Sequence, residues 1–140
     1  MNEELYDSYV TATSTFLAFN GLYIESIWNE EVEGCLDKVI LKFEKESLVI
    51  KAVPDDDSVQ LFKVSNSEAG QLLQFAEPAV GVWSKFIGQK FGWGWITVNQ
   101  QNYLDGVLLS FNEIVPNVLL NVMASSLYVF EIREIDDLTD

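Results

Sequence analysis

The carboxylates are the first residues to weigh for chemistry, because the chain carries 22 acidic side chains, 8 basic ones and no histidine. Without histidine there is no Ser-His-Asp or Cys-His relay and no histidine-held zinc. Paired carboxylates can still hydrolyse a glycosidic bond, with tryptophans stacking on the sugar. Asp105, beside Tyr103 and downstream of Trp93 and Trp95, is the best place for that chemistry, but no second acid can be assigned to pair with it. A strand-and-turn role for these four residues is the plainer reading. Asp55-Asp56-Asp57 offers oxygens to a hard cation, yet lacks the alternating aspartates and downstream glutamate of a calcium loop. A solvated turn accounts for it.

Other motifs fail on their surroundings. Gly88-x-x-x-Gly92-x-Gly94 resembles a phosphate loop in spacing only: it has no Gly-Lys-Ser/Thr ending, and two tryptophans occupy the place of small residues. Cys35 follows Gly34 in a glutamate-rich stretch, a setting that does not favour a nucleophilic thiolate. Ser125 and Ser126 have no histidine to activate them, and Lys85 and Lys90 read as surface charge. We therefore expect no enzyme, no metal and no cofactor.

The net charge of −14 constrains the partners. Nucleic acid needs Lys and Arg to displace its counterions, and anionic lipid repels the chain for the same reason. The field favours a basic protein and speeds its encounter. Solubility alone is the bland explanation for such a charge. The acids cluster at Glu30-Glu31-Glu33, Asp55-Asp56-Asp57 and Asp136-Asp137-Asp140, so acidic loops and termini are expected around an apolar body.

The elements that must position these residues belong to one domain spanning 1–140, a length that suits a single core. With 49% hydrophobic residues the chain is no disordered tail. Charges interrupt every apolar run before it reaches the ~18 residues of a membrane span. The acidic start MNEELYDSY lacks signal-peptide features, and a lone cysteine fits a reducing cytoplasm. Tyr6, Tyr9, Val10, Thr13, Phe16 and Leu17 have the spacing of one helix face, predicting a helix near 4–19 buried along that stripe and ended by Asn20-Gly21. Period-two patterns follow at 22–28, 39–43, 48–52 and 59–64, with connections too short for helical crossovers. Ser65-x-x-Glu68 has capping-box spacing before a helix near 67–76 that Pro78 stops, and a second short helix runs to Gly88. Strands near 93–99, 106–112, 117–123 and 127–134 complete an α+β fold with an antiparallel sheet of about seven strands in two meanders. No internal repeat is evident.

The segment from Trp93 to Gly106 is the most distinctive. Trp93, Trp95 and Thr97 alternate with Ile96 and Val98, so both strand faces carry bulk, as in a central strand or one covered by helices. Gly94 between two tryptophans predicts a close approach by another element or a bulge. Asn102 suits a tight bend with positive φ. The run W-x-W-x-x-x-N-x-Q-x-Y-x-D-G over 93–106, with ASSLYVFEI after it, resembles a family of small bacterial proteins classed as a domain of unknown function. The resemblance covers about residues 83–133, with Asn102 where the family pattern has glycine. It implies a cytoplasmic α+β domain and supplies no catalytic residues.

Two functions fit. In the first, a protein-binding module attracts a basic partner with its acids and anchors it with aromatics; an immunity-type inhibitor of a basic toxin is its sharpest form. In the second, a pocket near 93–105 binds a small neutral ligand such as a sugar through the amides of 99–102. The candidate surface comprises Trp28, Trp93, Trp95, Asn99, Gln101, Tyr103 and Asp105. A homodimer through a sheet face is a further reading, since several strands are apolar on both sides.

Overall fold

A computed structural model describes residues 3–133. Helix α1 (Glu3–Phe19) leads into a four-stranded meander, β1 (Ser26–Val32), β2 (Cys35–Lys42), β3 (Glu46–Val53) and β4 (Ser58–Ser65). Helix α2 (Asn66–Leu72), a 3-10 turn (Leu73–Phe75), the two-residue strand β5 (Glu77–Pro78) and a 3-10 segment (Gly81–Phe86) then carry the chain across. A second meander follows: β6 (Phe91–Val98), β7 (Leu104–Phe111), β8 (Val118–Met123) and β9 (Ser126–Glu131). The α+β class and both meanders match the sequence reading. Among the described residues the strands number nine rather than about seven, and they form two antiparallel sheets, ordered β4-β3-β2-β1-β5 and β6-β7-β8-β9. Each meander is preceded by helix, a repeated order of elements that the sequence does not display as similarity.

The sheets face each other across the core. Val39, Leu41, Leu48 and Ile50 of the first sheet and Val107, Leu109, Val118 and Leu120 of the second are fully buried in one apolar cluster. Aromatic rings fill its ends: Phe19 stacks on Phe43 at 4.6 Å between centroids, and Phe86 stacks on Phe111 at 4.1 Å. Helix α1 packs on β4 and β6. It buries Leu5, Ala12, Thr15, Phe16 and Phe19. Of the predicted stripe, Phe16 is buried and Thr13 half-buried, but Tyr6, Tyr9, Val10 and Leu17 lie exposed, which corrects the rest of it. The period of 3.6 is present; the core takes the neighbouring face, where small Ala12 and Thr15 let the helix sit close.

Further local expectations were revised by tertiary contacts. Gly21 adopts the left-handed conformation expected of a helix end, with φ 79°, but its N–H donates to the carbonyl of Phe91 in β6 instead of back to α1. The predicted strand at 22–28 divides: Tyr23 forms an isolated bridge with Lys90, and regular pairing in the first sheet begins at Ser26. The Ser65–Glu68 capping box does not form. Ser65 caps no amide and its hydroxyl meets that of Ser67 at 2.9 Å. Asn66 anchors the helix instead, donating from Nδ2 to the carbonyls of Phe43 and Glu44 and accepting from Ser47 Oγ at 2.7 Å. Of the acidic clusters, Glu30 is buried and paired with Lys38 Nζ at 2.7 Å, and Asp57 accepts the N–H of Ser125. Asp136-Asp137-Asp140 lies outside the described residues. No helix of the described chain is long and apolar enough to cross a membrane.

Register places two matching rows of side chains on the outward faces of the two sheets, since directly paired residues share a face. In the first, Trp28, Ile40, Val49 and Phe62 run across β1 to β4. In the second, Trp95, Leu108, Leu119 and Phe130 run across β6 to β9. Helix α2 and the following 3-10 turn pack over the first row, where Ile40 and Val49 are 0% exposed. The second row stays open: Phe130 is 44% exposed, and the elements packed on β7, β8 and β9 from the other sheet are chiefly β2, β3 and β4 on the core side.

Candidate functional site

Strand β6 brings Trp93 and Trp95 to helix α1. A register shift between Phe91 and Gly94 marks a bulge, and Gly94 itself meets the helix: a Cβ there would lie 2.4 Å from the Phe16 ring. Both roles predicted for this glycine, bulge and close approach, are therefore realised. Because Phe16 sits on Gly94, Tyr9 and Thr13 of α1 come beside Trp93 and Trp95, and the four line a shallow cleft of about 160 Å³. Trp93 packs against the core, with its ring 6.2 Å from that of Phe16, while Trp95 stands half-buried in the open outward row.

The helix beside this cleft is acidic and apolar on its open side. Glu3, Glu4 and Asp7 occupy its first turns, and the first basic residue of the chain is Lys38. Along the adjoining stripe Leu17 is 66% exposed and Tyr6 56%, with Tyr9 and Val10 also open. These residues were missed as surface by sequence reasoning, which assigned them to the core. The one signal that could have found them is the run of acids with no base alternating along the same helix.

The remaining predicted residues divide between loop construction and other faces. Asn99 organises the β6–β7 connection: its Oδ1 accepts the N–H groups of Gln101 and Tyr103 at 2.9 and 3.0 Å, and its own N–H donates to the Tyr103 carbonyl. Asn102 takes φ 66° at the bend, as its position predicted. Asp105 accepts the Thr97 hydroxyl at 2.7 Å, and its carbonyl accepts Asn121 Nδ2. Gln101 and Tyr103 are exposed at the loop tip. Trp28 belongs to the covered row of the other sheet, where its Nε1 donates to Ser26 Oγ at 2.9 Å, so the structure does not bring it to the tryptophan pair. A larger groove, about 660 Å³, lies between Gly21–Glu25 and the β2–β3 turn and includes no residue of the 93–105 segment.

This geometry defines an α+β protein of two facing antiparallel sheets whose open surfaces are helical and aromatic. The model of a family of unknown function, DUF6334, matches residues 3–136, nearly the whole chain, and the chain belongs to that family. No curated protein and no solved structure matches it.

Proposed function

We propose that the chain is a non-enzymatic protein-binding module that draws a basic partner to the acidic, aromatic surface of α1 and the β6 tryptophans. The observation that carries this reading is the exposed stripe Tyr6, Tyr9, Val10 and Leu17 on a helix with three carboxylates and no base. Leaving apolar rings in water costs solubility unless another surface covers them, and aromatic anchors ringed by charge are the usual anatomy of a binding hot spot. Glu3, Glu4 and Asp7 supply the long-range attraction, and the rings supply the short-range burial. An immunity-type inhibitor of a basic toxin is one form of such a module. The small-ligand reading is less well supported, because the clefts of about 160 and 310 Å³ that reach Trp93 are lined by none of the amide residues 99–102 that would hold the ligand.

Capture from lysate of the source organism at two ionic strengths tests the proposal. A basic protein should be retained at low salt, released as screening rises, and lost from a Tyr6→Ser/Leu17→Ser variant that unfolds like the parent. Equal retention by parent and variant would overturn the assignment to this helix.

A further inference from the structure

The open row of the second sheet adjoins the α1 surface at Trp95, which also lines the cleft beside Tyr9, but the rest of the row has a different character. Its residues Trp95, Leu108, Leu119 and Phe130 carry no charge, and neither do Thr97, Gly106, Asn121 and Tyr128 in the next cross-strand row. In a chain of net charge −14, eight neighbouring outward positions carry no charged side chain, and the carboxylate at their margin, Asp105, is held by the Thr97 hydroxyl at 2.7 Å. Two copies of the chain can meet there without opposing acid to acid.

The order of residues is also self-complementary: aromatic, leucine, leucine, aromatic. A two-fold axis parallel to the strands and passing between β7 and β8 lays β6 over β9 of a second copy. Trp95 then faces Phe130, and Leu108 faces Leu119, in both directions at once, as an isologous contact requires. The chain itself illustrates what such a row accepts. Trp28, Ile40, Val49 and Phe62 form the same sequence of shapes on the first sheet, and an apolar layer from α2 and its 3-10 turn covers them. Four strands about 4.8 Å apart and about six residues long project roughly 400 Å², so two copies bury roughly 800 Å² together, the size of a weak, reversible contact.

We propose that the uncharged outward face of β6–β9 is a homodimer interface, formed by sheet-on-sheet packing of two copies of this chain about a two-fold axis. Sedimentation equilibrium of the full chain, from micromolar to near-millimolar concentration and at low and physiological ionic strength, tests it. The expected result is a monomer–dimer equilibrium that tightens as salt screens the repulsion between two acidic molecules. Leu119→Lys should weaken association by at least about tenfold, and Phe130→Glu, at a more exposed site on the edge strand, should do the same if Leu119→Lys fails to fold. A monomer at every concentration and both salts would overturn the proposal. So would a dimer unchanged by both substitutions, or one that weakens with salt. A monomeric parent that loses a captured protein on Leu119→Lys would assign the face to a different partner and equally overturn it.

Discussion

The two sheets present the same outward row of shapes and use it in opposite ways. Trp28, Ile40, Val49 and Phe62 are covered by α2 and the 3-10 turn after it, so Ile40 and Val49 in the middle of that row are closed to solvent. Trp95, Leu108, Leu119 and Phe130 are half-buried or exposed, with no comparable layer over them among the described residues. The difference does not lie in the strands. It lies in what Asn66 does: three side-chain hydrogen bonds tie the start of α2 to the β2–β3 turn and to Ser47, and the short helix turns back across the sheet from there. One row is buried by the fold, and the other leaves apolar surface accessible to solvent.

Three substitutions would break or sharpen that contrast. Val49→Lys carries the largest expected effect, since it places an ammonium at a position closed to solvent with no carboxylate partner on its own row; cooperative thermal unfolding should be lost. Asn66→Ala comes next. Removing three hydrogen bonds should cost about 2 kcal/mol by urea denaturation, and amide exchange should accelerate in α2 well ahead of β7 and β8. The smallest effect is expected at the other asparagine anchor. Asn99→Ala frees the amides of Gln101 and Tyr103, which lie at an exposed tip where water replaces the lost acceptor, so a loss of only about 1 kcal/mol should result. Far-UV and near-UV circular dichroism of that variant should match the parent.

Much of this arrangement was legible in the residues. Asn102 and Gly94 could be assigned because each does something that few residue types tolerate, a positive φ in one case and contact with a ring in the other. The meanders were readable because strands with short connections have only antiparallel neighbours. The orientation of α1 was not. Tyr6, Tyr9, Val10 and Leu17 have the period of a buried face, but period fixes only which residues share a side, and packing over Gly94 decided which side went in. The capping box failed for a related reason, since Asn66 found acceptors in the β2–β3 turn that are distant in sequence. Nor could one row be told from the other, because Leu119 and Val49 occupy equivalent positions in similar apolar strands. Of the candidate residues, Trp93 and Trp95 were brought together with the helix, Asn99 and Asp105 make hydrogen bonds within the β6–β7 hairpin and to β8, and Trp28 stands on the other sheet.

The most direct test of the central claim, that one row serves the fold and its counterpart is left for a partner, is the urea unfolding of Val49→Lys beside Leu119→Lys. Leu119→Lys should retain a single cooperative transition within about 1 kcal/mol of the parent, because its ammonium reaches solvent, while Val49→Lys should not fold. Loss of folding in both variants would show instead that the second row is also required inside the folded chain.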